Sequence, residues 1–368
     1  MGYYKEIEKF KDFDFDAYFN SVTDDMVINS IHRDKRDVYD FLNLLSNTAK
    51  KHLERMAVKS KELTEQWFGR TISLYLPIYI SNYCSNECVY CGFSKKNKIT
   101  RKHLKAEEIE KEAIEIAKTG IKHILLLTGE AENLVSLEYL GEAVEILKRH
   151  FASVTIEIYP MEVEQYEFLK EKGVDGLTIY QETYDEKTYK EVHLSGKKSD
   201  YHFRLNTPER GAIADLRAVN IGPLFGLSDT HKEAFFCGMH VRYLMNNYLN
   251  TEFGISLPRI NNAEGGFEAK YQLDDVTFVQ FMLAYRLFLP KAGINISTRE
   301  KAVFRDHLLD LGVTKFSAGS KTAVGGYAEK DKSTEQFETS DKRSTEEIVA
   351  MVKSKNYQVI YKDWEQIV

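Results

Sequence analysis

The chain is 368 residues long, 43% apolar and 29% charged, with 21 glycines and 6 prolines, which excludes a collagenous, low-complexity or disordered polypeptide. Its 50 Lys and Arg against 56 Asp and Glu leave a net charge of −6, so the composition carries no nucleic-acid footprint, which would need a basic stripe. An acidic N-terminus without an apolar segment, and no apolar run near the ~20 residues of a membrane span, give the expectation of a soluble, cytoplasmic chain.

Gly2 stands where a myristoylation signal would begin, but Glu6 occupies the place where Ser or Thr is required. Residues 1–70 read as a helical extension: Val38, Phe41, Leu42 and Leu45 recur at helical spacing, as do Leu53, Met56, Ala57, Leu63 and Trp67, and Gly69 is a stop. Beyond it, short apolar runs alternate with amphipathic stretches. The predicted strands are 72–80, 123–128, 154–159, 176–180, 219–225, 255–258, 294–298 and 314–318. The predicted helices are 106–118, 137–148, 162–172, 230–248, 274–288 and 301–311. Pro77 falls inside the first strand, where it removes a ladder donor, so a bulge or strand end is expected there. Eight strand–helix units in succession predict an α/β fold, a closed (β/α)8 TIM-type barrel over 71–320. The remaining 321–368 is expected to be a C-terminal loop and helix packing on the barrel. An open doubly wound sheet is the rival, but neither G-x-G-x-x-G nor a P-loop follows any strand. The charge-dense, aperiodic stretch from Glu329 to Ser344 predicts a solvated loop.

Three of the four cysteines lie within eight residues, as Cys84-Ser85-Asn86-Glu87-Cys88-Val89-Tyr90-Cys91. A chain of this length with a good core does not need a disulfide framework, so the cluster reads as metal-binding. A structural zinc site wants four closed ligands, whereas this loop offers three and Cys237 is far away in sequence. Thiolates at one per iron hold iron–sulfur clusters, and three of them on a 4Fe–4S cluster leave one iron open to a small molecule.

Polar groups gather after the other predicted strands, whose following loops share one face of a barrel. They are Thr128-Gly129-Glu130, then Glu157 and Tyr159, then Tyr180-Gln181-Glu182-Thr183-Tyr184. Gly226 with Asp229, Arg259, Arg299, and Ser317 with Ser320 complete the set.

The C-x3-C-x2-C pattern with Tyr90 before its last cysteine resembles the signature of the radical S-adenosylmethionine (SAM) enzymes. That resemblance implies a 4Fe–4S cluster on Cys84, Cys88 and Cys91, with SAM chelated to the open iron. Thr128-Gly129-Glu130 is similar to the family's GGE element, which implies binding of the methionyl ammonium. Gln181-Glu182-Thr183 with Arg204 resembles the biotin-synthase branch, implying Glu182 on the ribose hydroxyls and Arg204 on the SAM carboxylate. A carboxylate accepts two vicinal hydroxyls and a guanidinium forks onto a carboxylate, so the chemistry agrees. The segment from Ile221 to Asp229 resembles the glycine-containing motif near adenine through Gly226, although it ends in Asp instead of Glu. Tyr90 would add ring and backbone contacts to adenine.

Further segments resemble the aromatic-amino-acid lyase branch, nearest its 2-iminoacetate synthases, the tyrosine lyases of thiamine thiazole formation. They are Leu76 to Asn82, Cys91-Gly92-Phe93-Ser94, Tyr180 to Tyr184, Ser297-Thr298-Arg299-Glu300, Gly325-Gly326-Tyr327 and Tyr361-Lys362-Asp363-Trp364. The resemblance implies Cα–Cβ cleavage of L-tyrosine to dehydroglycine and p-cresol, a low-potential electron donor of flavodoxin or ferredoxin type, and a thiazole synthase partner. The hydrogenase-maturation and tryptophan lyases are alternatives within the branch, the first disfavoured because no cysteine follows Cys237. A non-enzymatic, zinc-stabilised barrel is the alternative outside it. The substrate carboxylate is assigned to Arg299, with Ser297 and Ser317 as neighbouring donors and Arg259 and Arg305 as rivals. Cys237 reads as a buried inert thiol, and His103, His123 and His193 as structural.

Overall fold

The computed structural model describes residues 2–328 and 333–362. Eight parallel strands close into a barrel: β1 (Thr71–Ser81), β2 (His123–Thr128), β3 (Ser153–Glu157), β4 (Gly176–Glu182), β5 (Ala218–Pro223), β6 (Glu252–Ser256), β7 (Gly293–Ile296) and β8 (Lys315–Ser317). The order runs β2 through β8 to β1, and β1 pairs again with β2 to close the ring. Each predicted strand is present, within a few residues at its ends. The strands read as apolar runs because both faces are covered, by side chains inside the barrel and by helices outside. Leu127 is paired with Glu157, and Tyr180 with Gly222, which carries the polar strand ends to one rim.

A ninth strand, β9 (Gln358–Ile360), was not legible in the sequence. It lies parallel to β1 at Thr71–Ser73, on the edge that β2, pairing only from Leu76 onward, leaves free. Pro77 is neither a bulge nor a strand end: it pairs with Leu125 in mid-strand, and the register shift lies between Tyr79 and Ser81. The reason is the position of β8. Ser73 and Tyr75 turn their backbone polar groups toward β8, through Ser73 N to Thr314 O and Ala318 N to Tyr75 O. Pro77 faces the same side, past the end of β8, so its missing N–H breaks no ladder bond. Its carbonyl accepts a hydrogen bond from the Tyr327 hydroxyl at 2.9 Å.

Helices occupy the predicted places outside the barrel, from Ala106–Ala117 to Ala302–Leu308, and the β4–β5 connection is cut into three short ones, Glu186–Val192, Tyr201–Leu205 and Thr207–Ile213. Before β1, the helices Val38–Leu45 and Leu53–Phe68 pack on Asp275–Phe288. Asp37 and Asp40 form a reciprocal capping box at the start of Val38–Leu45. Phe41 stacks on Phe288 at 4.2 Å, and a Cβ on Gly238 would fall 2.5 Å from the Phe41 ring. Among the described residues no helix is long and apolar enough to cross a membrane.

The expectation of a solvated loop over 329–344 is corrected by residues 333–344. Ser333, Thr339 and Asp341 are buried, and the segment runs back across the barrel mouth, through Ser340 N to Thr298 O. Its apparent polarity is charge pairing: Asp341 meets Arg305 at 2.5 Å with both side chains fully buried, and Arg343 bonds Asp341 and Asp306. Removing one partner of a buried pair strands the other charge at a cost of about 3–5 kcal/mol. Asp341→Ala is therefore expected to destabilise the protein by about 3 kcal/mol or more, checked as a lowered urea midpoint.

Candidate active site

The cysteine loop leaves β1 and is stapled on every side. Asn82 donates to Thr100 O (2.9 Å) and accepts from Lys102 N (2.7 Å), while the Arg101 guanidinium reaches Phe93 O (2.8 Å) and Ser94 O (2.7 Å). On the β2 side, Ser85 donates to Glu130 O through both its N–H and its hydroxyl. On the far side, the segment after Glu186–Val192 pairs with the loop, through Val89 N to Val192 O and Leu194 N to Glu87 O. A Cβ on Gly129 would lie 2.2 Å from the Tyr83 carbonyl oxygen, so only glycine allows the end of β2 to approach this closely. Gly92 meets the Gln336 carbonyl in the same way, at 2.5 Å.

Cys88 is buried, Cys84 and Cys91 are half-buried, and none forms a disulfide. Burial pushes the Cys84 thiol up to about 11 and raises Cys88 and Cys91 as well, so each gives up its proton readily only to a metal. Among the described residues no three His, Cys, Asp or Glu side chains converge as the ligands of one ion must. A four-iron cluster asks for something different, one thiolate for each of three irons. Three thiols spread along one anchored loop fit that demand.

Beside the loop stands a charge network. Arg204 donates to Glu130 Oε1 (3.1 Å), to Glu182 Oε1 (3.4 Å) and to Tyr180 O (2.7 Å). Glu182 also accepts from Lys198 Nζ at 2.7 Å, and Glu130 from Asn86 Nδ2 at 2.6 Å. Burial acts to raise the Glu182 carboxyl, but Lys198 and Arg204 outweigh it and hold the group below the usual range. The backbone of Glu182 has φ +71°, a left-handed conformation unusual for a residue with a Cβ. The turn is fixed by Glu233, which accepts from Thr183 Oγ1 (2.5 Å) and Tyr184 N (2.9 Å). The predicted site residues Thr128, Gly129, Glu130, Glu182 and Arg204 are thus brought together. Lys198, Arg101, Asn86 and Glu233 were missed, because they lie off the strand ends and no spacing marks them.

Tyr90 and Gly226 lie on the neighbouring wall. The His193 ring donates from Nδ1 to Tyr189 O (2.8 Å), which leaves Nε2 to accept the Tyr90 hydroxyl (2.7 Å). Burial drives the His193 pKa down to about 3, so this neutral tautomer persists at physiological pH. Gly226 has φ +124°, with Ile260 pressed against the place a Cβ would take. Asp229 caps the helix Thr230–Asn247 through His231 N and Lys232 N. Cys237 is fully buried under the N-terminal segment, and burial raises its thiol.

A cavity lies at the centre of the mouth, with Tyr79, Glu157, Tyr180, Arg299, Ser317 and Phe337 among its lining. The Arg299 guanidinium lies 3.3 Å from the Phe337 ring centroid and reaches the Arg259 carbonyl at 3.5 Å. It meets no carboxylate among the described residues. Its rivals are committed: Arg259 to Glu300 (3.0 Å) and Asp275 (2.7 Å), and Arg305 to Asp341. Ser297 Oγ accepts from Arg299 N (3.4 Å) and Ser317 Oγ from Thr298 N (3.0 Å), so both also shape the turn that presents Arg299. Tyr361 and Lys362 follow β9, while Asp363 and Trp364 lie outside the described residues.

Comparison with known proteins gives two family matches, the radical SAM superfamily over residues 78–234 and the biotin and thiamin synthesis associated domain over 256–358. The chain is 38% identical to the 2-iminoacetate synthase of Salmonella typhimurium, over 92% of this chain and 89% of that one. It is 38% identical to the 2-iminoacetate synthase of Escherichia coli, over 89% and 87%. In structure it is similar to HydG, a maturase of the FeFe-hydrogenase, with TM-score 0.87, 28% identity, and coverage of 98% of this chain and 80% of that one.

The contact at Gly129 sets a test. In Gly129→Ala the new methyl group must displace the Tyr83 backbone and with it the start of the cysteine loop. Iron bound after anaerobic reconstitution is expected to fall well below that of the parent protein, with the circular dichroism spectrum unchanged.

Proposed function

This chain belongs to the radical SAM superfamily and, within it, to the 2-iminoacetate synthases, and from that premise we infer a lyase that divides L-tyrosine at Cα–Cβ into 2-iminoacetate and p-cresol. The observation that carries the reading is an anchored three-thiol loop at a barrel mouth whose central cavity holds an arginine without a carboxylate partner among the described residues. The first suits an open-cornered cluster, the second an amino-acid carboxylate.

Cys84, Cys88 and Cys91 would hold a 4Fe–4S cluster, which with SAM would supply one-electron reductive chemistry yielding a 5′-deoxyadenosyl hydrogen-atom acceptor. The chain's own residues have the task of holding two charged molecules in register. On this reading Thr128, Gly129 and Glu130 take the methionyl ammonium, Arg204 its carboxylate and Glu182 the ribose hydroxyls, with Tyr90 and Gly226 flanking adenine. The Thr128 hydroxyl is buried without a hydrogen-bond partner, as a ligand-facing group would be. Arg299 forks onto the tyrosine carboxylate, and Ser297 and Ser317 stand beside it as further donors. The Phe337 ring, 3.3 Å from the guanidinium carbon, backs it on one side, which leaves its donors for bidentate recognition. The walls of Tyr75, Tyr79 and Tyr180 restrict water and present rings to an aromatic side chain.

A one-electron donor of low potential is required, of flavodoxin or ferredoxin type. The match to a biotin and thiamin synthesis domain supports thiamine thiazole formation as the setting, with a thiazole synthase consuming the short-lived imine.

The test is product analysis with anaerobic, reconstituted protein, a chemical reductant, SAM and L-tyrosine. Equal amounts of 5′-deoxyadenosine and p-cresol are expected. A loaded cluster that gives no p-cresol rules out tyrosine, and a colourless protein with stoichiometric zinc rules out the cluster. Arg299→Lys keeps the charge and loses the fork. It is expected to raise the KM for tyrosine about 10- to 100-fold, while SAM cleavage without p-cresol continues; equal loss of both would remove Arg299 from the substrate.

A further inference from the structure

Glu157 ends β3, and its carboxyl lines the cavity that Arg299 enters. Among the described residues it makes no hydrogen bond and no salt bridge. The other carboxylates of the mouth are all committed: Glu130 to Asn86 and Arg204, Glu182 to Lys198 and Arg204, Glu300 to Arg259. Glu157 is half-buried at the cavity wall, so its carboxyl faces the cavity uncommitted to any neighbour and open to a ligand there. Of the charges around Glu157, Arg299 acts on it most strongly.

We propose that Glu157 binds the α-ammonium group of the amino-acid substrate and takes its proton, so that Arg299 and Glu157 together read the zwitterion. The inference rests on the tyrosine-lyase reading for its substrate. The carboxylate and the amine of an amino acid share one carbon. A substrate whose carboxylate lies on Arg299 therefore brings its ammonium group into the cavity that the Glu157 carboxyl also lines. The step is a proton transfer: an N–H bond of the ammonium breaks, an O–H bond forms on Glu157, and the pair of electrons left on nitrogen makes a neutral amine. No electron is exchanged, and the amine then presents an N–H to the hydrogen-atom acceptor.

The surroundings suit a base that works near neutrality. Glu157 faces Tyr75 and Tyr79 from β1, Tyr180 and Glu182 from β4, Lys198 and Arg204 from the segment that follows β4, and Arg299 from beyond β7. Burial pushes its carboxyl up to about 7; Glu182 adds to the rise, and Arg299, Lys198 and Arg204 oppose it. The acceptor form is the carboxylate, so turnover falls as pH drops through that value.

Two measurements on the anaerobic holoenzyme test this. In equilibrium binding, the parent protein is expected to favour L-tyrosine over 3-(4-hydroxyphenyl)propanoate, which lacks the amine, by about tenfold or more, and Glu157→Gln to lose most of that ratio. In turnover, Glu157→Gln is expected to form p-cresol about 100-fold more slowly or worse and to lose the acid limb near pH 7, while SAM cleavage continues. Glu157→Asp, which keeps the carboxylate, restores part of the rate and the limb. An unchanged binding ratio in Glu157→Gln overturns the proposal, as does a retained acid limb or an equal loss of SAM cleavage. A parent protein that discriminates between the two ligands yet yields no p-cresol would sink the lyase reading and leave the amine contact standing.

Discussion

Arg204 is the tie on which the barrel mouth depends. Its guanidinium joins Glu130 at the end of β2 to Glu182 at the end of β4, and its Nε fixes Tyr180 O between them. With Lys198 the group counts two carboxylates and two cations, neutral as a set. That balance is what allows four charges to sit out of water, where an unpaired one would cost several kcal/mol. The geometry has a second effect. The Glu130 carbonyl, on the same residue, anchors Ser85, so the position of the cysteine loop and the position of the charged network are one constraint.

The two halves of the mouth are built differently. On the side toward the cysteines the charges answer one another, and the network is rigid before any ligand arrives. On the side toward β7 and β8, Arg259 and Arg305 are matched to acids, but Arg299 meets no carboxylate among the described residues, and Glu157, which faces the same cavity from the end of β3, has no hydrogen-bond or salt-bridge partner among them. A matched network is a scaffold, and unmatched charges of opposite sign facing one cavity suit a zwitterion.

Much of this was legible from the residues. The eight strands were visible because a parallel barrel buries both faces of each strand, leaving apolar runs such as Ile124 to Leu127 that end abruptly in Thr128-Gly129-Glu130. The cysteine spacing was visible because the loop is local. What escaped was non-local. Gln358–Ile360 is a strand only because β1 is longer than β2 and leaves an edge for it. Pro77 looked like a break because a strand read alone does not show where its neighbour stops. The stretch around Asp341 looked solvated because its partner, Arg305, lies 36 residues away. Lys198 and Arg101 earn their roles from carbonyls and carboxylates that meet them only in the fold.

The N-terminal helices take their place in the same argument. Glu182 holds φ +71°, a strain of about 1–3 kcal/mol that needs surrounding structure to maintain it. Leu224 N donates to the Glu182 carbonyl, and Glu233 grips Thr183 and Tyr184 immediately after it. Glu233 can do this only if the helix Thr230–Asn247 is held at a fixed distance from β4. From outside, Tyr3 stacks on His240 at 4.1 Å and donates to Phe236 O, while Phe41 fills the notch at Gly238. Those contacts press the helix toward the barrel, so the packing of the extension is transmitted through Glu233 to the carboxylate assigned to SAM. On this view the extension is the outer wall of the active site, although none of its described side chains lines the cavity.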